Sequence, residues 1–92
     1  MTMFRLRHTG LHWREIGDET VVVDVPASLY LSANASGTLL WNELAEGATK
    51  ARLADRLVHA FGIDRARAEL DVDAFLATLS ERGLVEAIPE LA

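Results

Sequence analysis

Cysteine is absent from the sequence of 92 residues. A disulfide framework and a thiolate metal site are therefore excluded, and the composition gives no sign of an oxidising compartment. Long hydrophobic runs are absent as well, and residues 1–8 carry arginines and a histidine where a secretory signal would be apolar. We therefore expect a cytoplasmic protein without a membrane span.

Basic residues are few compared with acidic ones. Nine lysines and arginines stand against 14 aspartates and glutamates, which gives a formal net charge of -5. Nucleic-acid binding rests on a basic surface that neutralises phosphates. The charge balance therefore disfavours a nucleic-acid partner.

The residues that usually carry catalysis or bind metals are also sparse. The three histidines, His8, His12 and His59, are scattered, and no two lie four residues apart on a predicted helix as in a zinc site. There is no glycine-rich phosphate loop and no nucleophile elbow. The acidic residues between positions 69 and 73 suit the start of a helix better than a metal site. We expect no enzymatic activity, no cofactor and no bound metal.

The amount of apolar residues is typical of a folded globular protein. Half of the residues are hydrophobic and 25% are charged. A chain of this length forms one domain with a core of modest size. We predict a single domain over residues 1–92, with its core in residues 11–85 and loose ends at residues 1–8 and 86–92.

Alternation of apolar and polar residues predicts three strands in the first third of the chain. They cover residues 11–16, 20–25 and 29–33, and turn-forming segments separate them, which predicts a three-stranded antiparallel sheet. Residues 3–7 also alternate, and are either a short strand or a loosely docked arm.

Three helices are predicted in the rest of the chain. They cover residues 35–45, with Asn34 or Ser36 as N-cap and Gly47 at the end; residues 49–61, with Thr49 as N-cap; and residues 65–82, with Asp64 as N-cap. The last two helices have apolar stripes that are typical of amphipathic packing: Leu53, Leu57, Val58 and Phe61 in the second helix, and Val72, Phe75, Leu76 and Leu79 in the third. Strands followed by helices indicate an α+β fold, and the helical half resembles a helix-turn-helix with the strands as its wing.

The strand of residues 29–33 runs directly into the first helix, which places it at a possible sheet edge. An exposed edge is a liability unless another element covers it or a partner uses it. Strand addition by a peptide uses the free N–H and C=O groups of such an edge. We therefore predict that this edge is the functional surface.

The order of motifs resembles the PqqD-like family over roughly residues 11–85. The motifs that carry the resemblance are VVVD at 21–24, LYL at 29–31, NASG at 34–37 before Leu40 and Trp41, DVDAFL at 71–76 before Leu79, and GLV at 83–85. One residue departs from the family pattern: Ala33 stands where the family usually has leucine. That change would loosen the strand end or shift a pocket beside it.

The resemblance implies a function and a binding mode. Members of the family are precursor-peptide recognition elements of pathways for ribosomally synthesised and modified peptides. They have a winged helix-turn-helix fold and bind the precursor's leader peptide as an added strand, in a cleft between the third strand and the third helix. They are not enzymes, and they deliver the peptide to a leader peptidase or another modifying enzyme.

Strand alternation and helical periodicity select candidate residues for the cleft that the resemblance implies. On the third helix, positions 67, 71, 74, 78 and 82 lie on one flank of the buried stripe. Sequence alone leaves open which flank faces the sheet edge, and whether Tyr30 packs at the sheet rim or contacts a partner. The predicted peptide-binding residues are Leu29, Tyr30, Leu31, Ser32, Ala33, Arg67, Asp71, Ala74 and Thr78.

Two pathway settings and one unrelated function remain open at this stage. A lasso-peptide pathway is the interpretation we favour, and a peptide chaperone of the pyrroloquinoline-quinone type is the alternative within the family. A winged-helix DNA-binding regulator is the rival outside it, because a fold does not fix a function. The acidic residues of the predicted helices make that rival a poor electrostatic match.

Overall fold

The computed structural model describes residues 2–7 and 10–89. Along the chain, strands come before, between and after the three helices. In chain order the elements are β1 (Thr2–Leu6), β2 (Leu11–Ile16), β3 (Glu19–Asp24), β4 (Leu29–Ala33), α1 (Ala35–Glu46), β5 (Ala48–Thr49), α2 (Lys50–Phe61), α3 (Arg65–Glu81) and β6 (Val85–Pro89). The α+β prediction is confirmed. The described strands number six, in two sheets, where the sequence predicted one sheet of three.

The predicted meander is the sheet β2-β3-β4, and all its neighbours are antiparallel. A two-residue turn joins β2 to β3, and Gly17 adopts φ +65 there, a conformation that favours glycine. The face of β3 that carries Thr20, Val22 and Asp24 is buried against the helices. This sheet supplies the strand predicted to be functional.

The second sheet is formed by the two ends of the chain. β1 lies between β5 and β6, and pairs with β6 from Thr2↔Pro89 to Leu6↔Val85. The prediction of loose ends is therefore wrong for residues 2–6 and 86–89, because each strand supplies the backbone partners of the other. Residues 1, 8 and 90–92, which belong to the same prediction, lie outside the described residues.

The helix boundaries follow local capping groups. The Asn34 side chain accepts a hydrogen bond from Gly37 N–H at 3.0 Å, and Thr49 Oγ1 accepts one from Arg52 N–H at 3.2 Å. Gly62 ends α2 in a left-handed conformation. Asp64 occupies the N-cap position of α3 as predicted, but its side chain makes no capping hydrogen bond.

The core lies between the helices and the inner faces of the two sheets. Trp41 of α1 is fully buried at its centre. The predicted helical stripes supply much of the rest: Leu53 and Leu57 of α2, and Val72, Leu76 and Leu79 of α3. Phe61 was predicted on the buried face of α2 and is instead 46% exposed, because α2 ends there at the surface.

An ion pair between the half-buried Arg7, just after β1, and the buried Asp24 of β3 connects the two sheets. Arg7 Nη2 lies 2.6 Å from Asp24 Oδ2, and the Asp24 side chain is completely buried. Arg7 Nη1 also donates to the carbonyl oxygen of Gly83 at 3.1 Å, just after α3. Removing one partner of a buried pair leaves an uncompensated charge, so this contact fixes the chain ends onto the meander.

Among the described helices, none is long and apolar enough to cross a bilayer.

Candidate functional site

β4 lies at the edge of its sheet. It pairs with β3 along its whole length, from Asp24↔Leu29 to Thr20↔Ala33, and no strand in the described part of the chain pairs with its other side. The backbone groups on that side are available to another strand. The edge predicted from the sequence is therefore present and open.

One hydrogen bond determines which residues of β4 face the open side. Val25 N–H donates to Gly10 C=O at 3.3 Å, in line with the β2–β3 ladder. Because antiparallel pairs alternate between bonded and non-bonded, odd-numbered residues of β3 bond to β2 and even-numbered ones bond to β4. Those even-numbered residues are paired with the odd-numbered residues of β4. Tyr30 and Ser32 are therefore the residues whose N–H and C=O groups point to the open edge.

A cavity with a volume of about 270 Å³ lies beside this edge, between β4 and α3. Apolar side chains from all three helices contribute to it, and polar side chains from β4, the start of α1 and α3 stand among them. The lining residues are Leu31, Ser32, Ala33, Asn34, Ser36, Gly37, Leu40, Leu57, Asp71, Phe75, Thr78 and Leu79. We call this cavity the β4–α3 cleft.

Gly37 controls how closely α1 approaches the cleft. A Cβ atom at this position would lie 2.9 Å from Ala33 Cβ and 3.3 Å from Phe75 Cε1. The first contact would force β4 and α1 apart, and the second would require the Phe75 ring to shift by a few tenths of an ångström. Glycine at position 37 and alanine at position 33 thus let the strand, the first helix and the third helix meet at one point. A leucine at position 33, as the family pattern has it, would occupy part of this space.

Three of the five predicted residues of β4 line the cleft, namely Leu31, Ser32 and Ala33. Leu29 is half-buried and packs against the core instead. Tyr30 is 65% exposed on the outer face of the sheet, so its side chain does not pack at the rim. Tyr30 therefore contributes its backbone to the edge and its ring to the solvent-exposed face.

Of the four predicted residues of α3, two line the cleft and two lie beside it. Asp71 and Thr78 line the cleft, so the predicted flank is the one that faces β4. Arg67 and Ala74 are exposed and outside the lining, but each contacts a lining residue: Arg67 Nε lies 3.2 Å from Asp71 Oδ1, and Ala74 C=O accepts from Thr78 Oγ1 at 3.0 Å. The part that these residues take in peptide binding stays a prediction.

Sequence reasoning missed several lining residues because it assigned them to other roles. Helical periodicity placed Phe75 and Leu79 in the buried stripe of α3, although a residue at the border of a stripe also faces the neighbouring cleft. Asn34, Ser36 and Gly37 were interpreted only as the start of α1. The direct passage from β4 into α1 was the signal that could have assigned these three to the site.

Ion pairs neutralise most basic side chains of the helical half. Lys50 pairs with Asp73, Arg52 and Arg56 pair with Glu43, Arg65 pairs with Asp55 and Glu69, and Arg67 pairs with Asp71. The Arg65 guanidinium donates hydrogen bonds to the carboxylates of Asp55 and Glu69, and these bonds, the one to Asp55 first, raise the pKa of Arg65 above its ordinary value. Within residues 2–7 and 10–89, no three histidine, aspartate or glutamate side chains are grouped as metal ligands would be.

The sequence of residues 19–85 matches the model of one protein family, coenzyme PQQ synthesis protein D (PqqD). This match spans β3 to the first residue of β6, so it includes every residue of the β4–α3 cleft. The chain belongs to the PqqD family. No curated protein matches the chain by sequence.

Two solved structures share the fold of this PqqD-family chain. TbiB1 in complex with the TbiA(beta) leader peptide has a TM-score of 0.82 and 24% identity, over 94% of this chain and 99% of that one. Lasso peptide synthetase B1 complexed with the leader peptide has a TM-score of 0.77 and 28% identity, over 94% of this chain and 98% of that one. Both of those structures are thus complexes with a leader peptide.

Proposed function

We propose that this PqqD-family protein binds the leader region of a ribosomally made precursor peptide, as a strand added to β4. The observation that carries the proposal is the open edge of β4 beside a cleft of about 270 Å³. The two leader-peptide complexes with the same fold support it. The described residues from β1 to β6 contribute to one core, which supports a single recognition domain over residues 1–92.

The backbone of β4 supplies affinity, and the cleft supplies selectivity. The N–H and C=O groups of Tyr30 and Ser32 pair with the peptide backbone, since they face the open edge. Successive side chains of an added strand point to opposite sides, so every second one faces α3 and enters the cleft. There it meets the apolar wall that includes Leu31 and Phe75.

The predicted site residues have different roles in this proposal. Leu31, Ser32 and Ala33 form the strand wall, and Asp71 and Thr78 form the helix wall. Arg67 orients the Asp71 carboxylate, and Ala74 fixes the Thr78 hydroxyl. Leu29 anchors the start of β4 in the core, and Tyr30 acts through its backbone.

The protein acts in a lasso-peptide pathway as a partner without catalytic activity of its own. It presents the bound precursor, in the cytoplasm, to a leader peptidase or another modifying enzyme. The lasso setting is supported by the named lasso peptide synthetase B1, at 28% identity. The chaperone of the pyrroloquinoline-quinone type is less favoured, because lasso peptide synthetase B1 shares this fold and is complexed with a leader peptide.

A DNA-binding role is not favoured. The basic side chains of α2 and α3 that would contact phosphates are largely paired with carboxylates of the same protein. A titration of duplex DNA by anisotropy at physiological salt should therefore show no binding tighter than about micromolar. Tight, sequence-specific binding would restore the regulator as the better interpretation.

A titration of a fluorescein-labelled leader peptide, taken from the precursor encoded beside this chain's gene, tests the proposal. Thr78→Trp places a large side chain in the cleft and should weaken binding at least about tenfold, which is roughly 1.4 kcal/mol. Ala77→Trp is the control, because Ala77 is exposed on α3 and does not line the cleft. If the parent binds the peptide and Thr78→Trp binds it equally well, the cleft is wrongly assigned.

A further inference from the structure

β2 is the other edge strand of the sheet that contains β4. It pairs with β3 along its whole length, and no strand within residues 2–7 and 10–89 pairs with its other side. The bond from Val25 N–H to Gly10 C=O continues the ladder of bonded pairs, so the even-numbered residues of β2 bond to β3. The N–H and C=O groups of Leu11, Trp13 and Glu15 therefore point to an open edge.

A cavity with a volume of about 370 Å³ lies along this strand. Its lining residues come from β2 and β3: His12, Trp13, Arg14, Ile16, Val21 and Val23. All of them except Trp13 belong to the outer face of the sheet, opposite the face of β3 that is buried against the helices. We call this cavity and the open side of β2 together the β2 surface.

The β2 surface exposes apolar side chains. Ile16 is 61% exposed and Val23 is 39% exposed, although such residues gain free energy when they are buried. The ring of Trp13 packs edge-on against that of Trp41, with 5.5 Å between the ring centroids, and Trp13 is still partly exposed. A tryptophan held in this way loses little conformational freedom when a partner binds, so it is a preformed contact point.

The charge of the β2 surface is opposite to that of the whole protein. The chain has a formal net charge of -5, but the described residues that line this cavity include Arg14 and His12 and no acidic residue. Arg14 is exposed and makes no ion pair with any residue in the described ranges, unlike the arginines of α2. A partner that carries carboxylates beside apolar side chains complements this surface.

The two edges of the sheet are far enough apart to be occupied together. β3 lies between β2 and β4, so a spacing of about 4.8 Å between neighbouring strands puts the two edges roughly 10 Å apart, with their open sides in opposite directions. No described residue lines both the cavity at β2 and the β4–α3 cleft. A protein that presents a peptide to an enzyme needs such a second surface, because the enzyme must dock while the peptide stays bound.

We propose that the β2 surface binds an extended segment of the enzyme that receives the precursor. This inference rests on the proposed function and adds the surface through which the protein meets that enzyme. The segment pairs with the outward backbone groups of Trp13 and Glu15. Its apolar side chains pack on Ile16 and Val23, and its carboxylates face Arg14. Such a segment carries apolar and acidic side chains on one face, at positions two residues apart.

An affinity measurement tests the contribution of Arg14. The probe is the leader peptidase encoded beside this chain's gene, titrated by biolayer interferometry against this protein saturated with leader peptide. Arg14→Glu should weaken peptidase binding at least about tenfold, because it places a negative charge against the partner's carboxylates. It should leave leader affinity within about twofold of the parent, because Arg14 does not line the β4–α3 cleft.

Arg82→Glu is the matched control for this change of charge. Arg82 is also exposed, makes no ion pair within the described ranges and does not line the cavity at β2. The control should therefore keep peptidase affinity within about twofold of the parent. Circular dichroism of both variants checks that the fold is retained.

Amide hydrogen exchange, resolved by residue, tests the backbone pairing in the parent protein. Peptidase added to the leader-loaded protein should protect the outward amides of Trp13 and Glu15. The amide of His12, which is already bonded to β3, should change little. Leader peptide alone should leave the amides of Trp13 and Glu15 as they are in the free protein.

The outcomes separate this inference from the proposed function. If the parent protein does not bind the leader at all, the proposed function fails. If the leader binds but the peptidase does not, the β2 surface is wrongly assigned and strand addition at β4 is untouched. The same conclusion follows if Arg14→Glu acts no more strongly than Arg82→Glu, or if Trp13 stays unprotected. A dimer in sedimentation equilibrium that protects Trp13 without the peptidase would make a second copy the occupant and would also contradict the proposal.

Discussion

β4 and β6 are both edge strands of five residues, but their open sides differ. The bond from Arg7 N–H to Leu84 C=O, at 2.9 Å, shows that even-numbered residues of β6 bond to β1. The odd-numbered residues of β6 therefore face outward, and one of them is Pro89, which has no N–H. The outward residues of β4, Tyr30 and Ser32, both have N–H groups, and β4 borders a cleft.

The difference shows what makes an edge usable for peptide binding. Free backbone groups alone would make the two edges equivalent. Pro89 on the outward side of β6 cannot donate a hydrogen bond to an added strand, and proline is common in edge strands that must not pair. A cavity beside β4 gives the side chains of an added strand a place to pack. Backbone and cavity together favour β4 over β6 as the edge for the proposed strand addition.

The largest loss of free energy of unfolding is expected for a substitution at a residue of β4 that bonds to β3. Leu31→Pro removes a hydrogen bond to β3 and should lower the free energy of unfolding by about 3 kcal/mol. Urea denaturation followed by circular dichroism measures this change. The matched variant is Tyr30→Pro, which removes only an outward N–H and should lose less than about 1 kcal/mol. Equal losses in the two variants would contradict the assigned alternation.

The second prediction concerns leader binding at the open edge of β4. Tyr30→Pro should weaken leader binding at least about tenfold, because the proline ring takes the place of a donor to the added strand. Ala87→Pro makes the same change at an outward position of β6 and should leave affinity within about twofold of the parent. A loss at Ala87 equal to that at Tyr30 would mean that the two edges are not distinguished.

The smallest effect is expected for the Tyr30 side chain. Tyr30 is 65% exposed, and its ring lies on the outer face of the sheet, away from the cleft. Tyr30→Ala should therefore change leader affinity by less than about threefold. The same anisotropy titration gives the result. A loss as large as that of Tyr30→Pro would show that the peptide reads the ring and not the backbone.

The sequence predicted the elements whose signals are local. Caps such as Asn34 and Thr49, together with helical periodicity, gave the three helices to within a residue or so, and alternation gave the β2-β3-β4 sheet. The second sheet was not predicted, because β1 and β6 lie at opposite ends of the chain and their pairing leaves no local pattern. Pro89 occupies an outward position of β6, where its missing N–H costs no hydrogen bond to β1.

The candidate site was predicted in outline but not in detail. Periodicity grouped residues on one flank of α3, yet it could not show that this flank faces β4, or that Asp71 and Thr78 border the cleft while Arg67 and Ala74 lie beside it. That division depends on how closely α1 approaches β4, and Gly37 sets this distance. Packing between elements distant in sequence therefore decided which residues line the site.

Amide hydrogen exchange, resolved by residue and measured with and without the leader peptide, tests strand addition at β4 most directly. Leu31 is already bonded to β3 and should change little, whereas the outward amides of Tyr30 and Ser32 should become strongly protected when the peptide binds. The outward amides of Val85 and Ala87 on β6 should stay unprotected and serve as the internal control. Saturating peptide with no added protection at Tyr30 and Ser32 would contradict strand addition at this edge.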